Sequence, residues 1–223
     1  MISTSLIERY TDSYPRFVCA KRQHEDIPVI FTTYKTQRAD EELLNAATIL
    51  QACRATSAAP TYFDPLEIRL GPSGAQYTDV FVDGGLGDNN PVGELWTQTE
   101  YVWPGAAARS GIECLVSIGT GKPSVPNYGT GAVDLGKRLL HVATESERSA
   151  RRFYDHHRHD LGRQRYYRFN VDRGLEDVEL GEAKEKARII RVTKDYMNDG
   201  EVHEKVQDCT ERLASRECLS LFA

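Results

Sequence analysis

Two segments near the start of the chain carry the hydrophobic pattern of strands. Residues 16–20 and 28–34 are runs of β-branched and aromatic residues, and the polar residues 21–26 separate them. Such side chains favour strands because they pack well on a pleated surface. We therefore expect two adjacent strands here.

The pattern then changes to a helical spacing. The apolar positions at helical intervals are Leu43, Ala47, Leu50 and Ala58. Asp40 precedes them with a side-chain oxygen suited to capping a helix, and Pro60 follows them as a helix breaker. These signals predict one helix between Asp40 and Pro60.

A second strand-to-helix transition lies in the middle of the chain. Residues 80–82 (VFV) predict a strand that runs into the glycine-rich turn of residues 83–87. Asn90 and Pro91 then predict a helix start, because an asparagine caps well and a proline loses nothing at the first helical position. Leu95 and Trp96 of that helix are expected to face the core.

The second half of the chain alternates strands and helices. Residues 114–118 form a continuous apolar run that ends at Gly119, which is typical of a central parallel strand. Further elements are predicted as a helix over 135–158, a strand over 166–171, a helix over 181–197 and a last helix with Val202, Val206, Cys209 and Leu213 on one face. Residues 122–131 are expected to form a flexible loop. This alternation indicates the α/β class, with a mostly parallel sheet.

Composition narrows the classes of protein. With 223 residues, of which 40% are hydrophobic and 27% charged, the chain is expected to form one compact domain, with room for an appendage. No apolar run approaches the ~18 residues of a membrane span. Glu8 and Arg9 interrupt the opening segment, so no secretory signal is predicted and the expected location is cytoplasmic. The net charge of −5 argues against nucleic-acid binding.

Cysteine and histidine positions give little support for a metal site. The five cysteines are Cys19, Cys53, Cys114, Cys209 and Cys218, and they are scattered without a C-x-x-C pair. They are predicted to be reduced core thiols. Residues 155–160 (DHHRHD) leave zinc binding open, but a solvated helix end with internal ion pairs is favoured because neither H-E-x-x-H nor a thiol accompanies them. No metal and no cofactor is predicted.

Asp83 is the sharpest candidate for chemistry. It is a carboxylate at the end of a predicted buried strand, and Gly84 and Gly85 after it allow a tight turn. Open α/β sheets place their ligand crevice at such strand ends, where the carboxylate could act as a base. The alternative, in which Asp83 and Asp88 only form a polar turn and cap a helix, stays open.

Several other functional motifs are excluded because residues that they require are missing at the required positions. A dinucleotide-binding G-x-G-x-x-G needs glycine at Asn90, and a phosphate loop at residues 119–122 lacks its first glycine and its Ser or Thr. The G-x-S-x-G of serine esterases is absent from the 223 residues. Ser57, Ser73 and Ser117 are accordingly not expected to be nucleophiles.

Three blocks, taken in order, resemble the patatin-like phospholipase family. They are residues 52–63 (ACRATSAAPTYF), 81–91 (FVDGGLGDNNP) and 115–121 (LVSIGTG). The resemblance runs from about residue 16 to residue 122. Within the family, the sequence looks most like the patatin-like proteins of filamentous fungi. It implies an α/β sheet that carries a Ser–Asp dyad for cleaving acyl esters of lipids without a histidine.

The resemblance also assigns residues. Asp83 matches the family's aspartate, and Gly84 and Gly85 complete its D-G-G motif. The family's G-x-S-x-G and its glycine-rich oxyanion loop precede the matched part and do not occur in these residues. Residues 1–125 are therefore expected to be the C-terminal portion of a patatin-like domain with an incomplete sheet. Residues 126–223 are expected to form a mainly helical extension with one further strand, packed on the same domain.

Three hypotheses for function follow. The first is a lipid acyl hydrolase in which Asp83 is the base and the nucleophile belongs to a segment outside these residues, so that the chain alone is inactive; its substrate is a lipid ester, and membrane contact is peripheral. The second is a non-catalytic remnant that binds a protein partner at its exposed sheet edge. The third is a metal-dependent hydrolase that uses residues 155–160.

Overall fold

A computed structural model describes residues 15–25, 28–36, 39–72, 74–86, 90–104, 112, 114–122, 134–161 and 165–214, without the side chains of 134–144 and 160. Several predictions lie outside these residues: the opening segment, Ser73, Gly87, Asp88, the loop after residue 122, the side chain of Asp160, and Cys218. The described chain divides into two compact units. The first comes from Met1–Pro91 and Thr97–Val102, and the second from Val92–Trp96 and Trp103–Ala223.

The first unit contains a four-stranded sheet. Its strands are β1 (Phe17–Arg22), β2 (Pro28–Thr32), β3 (Leu66–Leu70) and β4 (Tyr77–Asp83), in the order β2-β1-β4-β3. The two adjacent strands predicted at the start of the chain are confirmed as β1 and β2. Every neighbouring pair in this sheet is antiparallel.

The prediction of a mostly parallel sheet is wrong for this unit. Residues 23–27 join β1 to β2, and residues 71–76 join β3 to β4. Connections this short reverse the chain direction, whereas a parallel pair needs a crossover of a dozen or more residues. β3 was not predicted. Its alternation of apolar residues with Glu67 and Arg69 is nevertheless the ordinary signal of a strand with one buried face.

Two helices replace the single one predicted between Asp40 and Pro60. They are α1 (Glu41–Ala46) and α2 (Ile49–Thr56). Asp40 caps α1 as predicted, accepting the Leu43 amide at 3.0 Å. The break is set by Thr48, which forms a reciprocal capping box with Gln51 and so starts a new helix.

The core of the first unit lies between α1, α2 and the sheet. Phe81 of β4 is fully buried and packs edge-on against Phe31 of β2, with the ring centroids 5.2 Å apart. The other buried residues of this core are Ala20, Val29, Leu43, Ala47, Ala52, Ala55, Ile68 and Leu70. The core therefore fixes the strand that ends at Asp83.

Helix α3 (Val92–Val102) begins directly after Asn90 and Pro91, as predicted. Its first five residues belong to the second unit and the rest to the first. Within the second unit, Trp96 is buried against Phe153, as was expected of this residue.

The second unit contains the predicted parallel pairing. β5 (Leu115–Ile118) and β6 (Tyr166–Phe169) run parallel, joined by a crossover that includes α4 (Asp134–Leu161). Helices α5 (Lys186–Met197) and α6 (Gly200–Ala214) follow, preceded by a 3-10 turn at Ala183–Glu185. The α/β class is thus confirmed. No helix in the described ranges combines the length and apolarity that a membrane crossing requires. An extension that starts at residue 126 and packs on the same domain stays a prediction.

Candidate active site

Asp83 is the last residue of β4 and is fixed by its backbone on two sides. It lies opposite Ala20 in the pairing of β1 with β4. Its own amide donates a hydrogen bond to the carbonyl of Ala58, just after α2, at 3.0 Å. Strand β1 and the residues after α2 therefore set the position of this carboxylate.

The turn after Asp83 is built from the predicted glycines. Gly84 begins a short 3-10 turn, Gly84–Leu86. The Asp83 carboxylate accepts the Gly85 amide at 2.8 Å, so the side chain folds back over the turn. This hydrogen bond fits both the polar-turn interpretation and the role of a base.

Gly84 allows the turn to approach β1 closely. A Cβ atom at this position would lie 2.4 Å from the carbonyl oxygen of Cys19 and 2.7 Å from its carbonyl carbon, which is closer than real Cβ contacts. The same Cys19 oxygen accepts the Thr56 hydroxyl at 2.6 Å. Sequence reasoning missed Thr56, whose only signal was its place in the first of the three blocks.

Partial burial shifts the pKa of the Asp83 carboxyl group. The group is half-buried, and its desolvation raises its pKa above the ordinary value, while the hydrogen bond from Gly85 opposes this shift. A raised pKa makes the carboxylate a stronger base than an exposed aspartate. The chemical capacity of this position is therefore proton acceptance.

Ser57 and Ser117, which were not expected to be nucleophiles, each form a hydrogen bond within the structure. Ser57 donates to the carbonyl of Cys53 at 2.8 Å, and Ser117 of β5 accepts a hydrogen bond from Arg168 at 3.0 Å. Among the described residues, Gly85 provides the hydrogen bond to the Asp83 side chain, and no hydroxyl group does so.

The histidine cluster lies on the last turns of α4. His156 Nδ1 is 2.8 Å from the carbonyl oxygen of Arg152. The ring of His157 packs at a tilt against Trp96 and Phe153, with the ring centroids 4.5 and 4.7 Å away. Within the described ranges, no group of three His, Cys, Asp or Glu side chains is placed to hold a metal ion.

The glycines after β5 serve local packing. Gly121 donates its amide to the Asn170 side chain at 2.6 Å, and a Cβ at Gly119 would lie 2.4 Å from the same side-chain oxygen. Asn170 in turn donates to Glu147 at 2.7 Å. The buried Asn170 side chain therefore lies against the glycines of this loop.

The region that contains Asp83 matches a known family. Residues 7–96 match the family model described as Patatin-like phospholipase, so the predicted resemblance to that family is confirmed for this region. The first two blocks, including the D-G-G motif, lie inside the matched residues. The third, residues 115–121, lies beyond them, and the fungal affinity stays a prediction.

Individual relatives give the same result. Calcium-independent phospholipase A2-gamma of Oryctolagus cuniculus is 43% identical over 72 residues, and those of Mus musculus and Homo sapiens are 42% identical over the same length. Each alignment covers 32% of this chain and 8% of the relative. The similarity therefore concerns a small part of those proteins.

Proposed function

We propose that this chain contributes the general base of a patatin-type lipid acyl hydrolase, and that Asp83 is that base. The observation that carries the proposal is a half-buried carboxylate of raised pKa in the D-G-G turn, inside the residues that match the family. The substrate is an ester of a long-chain lipid. Because such esters reside at bilayer surfaces, membrane contact is peripheral, and the proposed location is cytoplasmic.

Asp83 acts in both halves of the proposed reaction. A serine hydroxyl attacks the ester carbonyl carbon, its proton passes to the Asp83 carboxylate, and the alcohol leaves with a proton as the acyl-serine forms. Asp83 then accepts a proton from the water that cleaves the acyl-serine, which releases the fatty acid and restores the serine. General base assistance of this kind contributes ~10²–10⁴-fold in rate.

The nucleophile in this proposal is not one of the 223 residues, which contain no G-x-S-x-G. We assign residues 1–125 to the C-terminal portion of the catalytic domain and residues 126–223 to a helical extension on the same domain. A base without its nucleophile and oxyanion donors has no partner, because these parts act as a unit. The 223-residue chain alone is then inactive.

The test compares the 223-residue chain with the same chain extended by the coding sequence upstream of its first codon. A fluorophosphonate probe and a short-chain p-nitrophenyl ester report on the serine and on turnover. We expect neither signal from the 223-residue chain and both from the extended chain. Asp83→Asn should reduce turnover of the extended chain by ~10²-fold or more.

The matched control is Asp79→Asn, on the same strand and with the same change of charge. Asp79 pairs with Arg22 at 2.7 Å, so its loss costs stability but leaves the D-G-G turn in place. Turnover by the 223-residue chain that disappears in Asp83→Asn would show that the nucleophile is present within it. Equal turnover of Asp83→Asn and Asp79→Asn in the extended chain would refute the role of Asp83.

A second candidate is a non-catalytic module that binds a protein partner. The supporting observation is that β2 and β3 are the outer strands of the described four-stranded sheet. An outer strand offers backbone N–H and C=O groups to an added strand. An upstream stop codon, together with no labelling of any extended form, would favour this function over hydrolysis.

A further inference from the structure

Two cysteines far apart in sequence meet in the second unit. Cys114 immediately precedes β5, and Cys209 lies on α6; their Sγ atoms are 3.7 Å apart and share an S–H···S hydrogen bond. Cys209 is buried with 5% exposure, whereas Cys114 is half-buried. Both thiols are reduced in the structure.

We propose that Cys114 and Cys209 form a dithiol site that a peroxide converts to a disulfide. Bonded sulfur atoms lie about 2.0 Å apart, so the two Sγ atoms need to approach by roughly 1.7 Å for the bond to form. This site is independent of the proposed lipid hydrolysis, because none of its residues takes part in the D-G-G turn.

A charged side chain neighbours Cys209 on α6. Lys205 precedes it by one helical turn on α6, and the Lys205 charge interacts electrostatically with Cys209. The Lys205 Nζ atom is held in place by a hydrogen bond of 2.8 Å to the Arg168 carbonyl and lies 5.3 Å from the centre of the Phe169 ring. A thiolate is the reactive form in disulfide chemistry, and its charge is opposite to that of the Lys205 ammonium group.

The difference in exposure between Cys114 and Cys209 sets the order of the two steps of oxidation. The thiolate of Cys114, the more exposed of the two cysteines, attacks one oxygen of hydrogen peroxide. An S–O bond forms, the O–O bond breaks, and the hydroxide leaves as water after taking a proton. The Cys209 thiolate then attacks the Cys114 sulfur, so that the S–S bond forms and the second hydroxide leaves as water. Two thiols lose two electrons and the peroxide gains them.

The product would tie the start of β5 to α6. These positions are 95 residues apart in the sequence, and closing so long a loop restricts the unfolded chain strongly. We expect the oxidised protein to melt roughly 5–10 °C above the reduced one, and dithiothreitol to reverse the change.

The experiment treats the purified chain with one equivalent of hydrogen peroxide, blocks the remaining thiols with N-ethylmaleimide and digests without reductant. The expected product is a linked pair of tryptic peptides, one of which is residues 206–212 (VQDCTER) joined through Cys209 to the peptide of Cys114. Cys53→Ser, at an exposed cysteine, should leave the yield unchanged. Cys114→Ser should abolish the linkage and the shift in Tm.

A second measurement needs no oxidation. Phenylarsine oxide bridges two adjacent thiols, and we expect one equivalent to bind the reduced chain and to protect Cys114 and Cys209 from N-ethylmaleimide. Lys205→Met should slow disulfide formation roughly tenfold, because it removes the positive charge next to the Cys209 sulfur. Lys205→Arg should retain the rate.

Two results would overturn the proposal. One is oxidation of Cys114 and Cys209 to sulfinic or sulfonic acids with no linked peptide. The other is a peptide that joins Cys209 to Cys53 in equal yield, which would mean that unfolded or colliding chains form the bond.

Discussion

Gly84 approaches the Cys19 carbonyl so closely that a Cβ atom on Gly84 would lie 2.4 Å from the oxygen. This contact joins the D-G-G turn to β1, and the hydroxyl of Thr56 holds the same oxygen from α2. Asp83, at the end of β4, therefore lies on a turn whose position is set by β4, β1 and α2. Sites that need a defined geometry are commonly built on such rigid supports.

Gly84→Ala should destabilise the protein by about 1–3 kcal/mol, because the added methyl group meets backbone atoms that cannot move aside cheaply. Urea denaturation followed by circular dichroism measures this change. The control is Gly93→Ala, on α3, where a Cβ meets nothing within 4 Å. A helical Gly→Ala change there should be neutral or stabilising by up to ~1 kcal/mol, and equal losses in the two variants would contradict the close approach.

Thr56→Val should cost about 1 kcal/mol of stability, because it removes the donor to the Cys19 carbonyl while keeping the branched shape. Thr56→Ser keeps the hydroxyl and is expected to retain more of the stability than the valine variant. Denaturation midpoints of the three proteins give the comparison. A valine variant as stable as the parent would show that the 2.6 Å contact contributes nothing.

Asp83→Asn should leave stability at pH 7 unchanged or raise it. Burial raises the pKa of the Asp83 carboxyl group, so its contribution to stability is fully present below the pKa of the unfolded chain and is lost as the pH rises through the folded pKa. Asparagine carries no charge and keeps an oxygen for the Gly85 amide. The advantage of the variant should therefore grow in thermal melts as the pH rises above about 4, the ordinary pKa of an aspartate. A variant less stable than the parent at pH 7 would show that the ionised group stabilises the fold.

Thr48→Ala should destabilise the protein by about 1 kcal/mol, because it removes the cap that starts α2. Thr210→Ala is the control, since this exposed threonine donates its hydroxyl back to Val206 within α6. Its effect should stay within about 0.5 kcal/mol. Chemical denaturation of both variants tests the difference. If the two threonines proved equivalent, the capping box would not be what separates α1 from α2.

Several elements could be predicted because their signals are local. Asp40 caps α1 through an amide three residues away, and Asn90 with Pro91 marks the start of α3. The parallel strand β5 was recognised from its continuous apolar run. The split at Thr48 had a local signal too, the T-x-x-Q spacing, but the apolar periodicity across it suggested one continuous helix.

Sequence patterns were sufficient for the α/β class, most of the helices, the resemblance of the region around Asp83 to patatin-like phospholipases and the glycines of its turn. Capping, periodicity and motif spacing are properties of a few consecutive residues, so they can be read without knowing the path of the chain. The tertiary structure alone decided the antiparallel order of the first sheet, the contact of Gly84 with Cys19 and the meeting of Cys114 with Cys209. Each of these joins segments that are distant in sequence, and only the packing of the strands and helices around their cores brings them together.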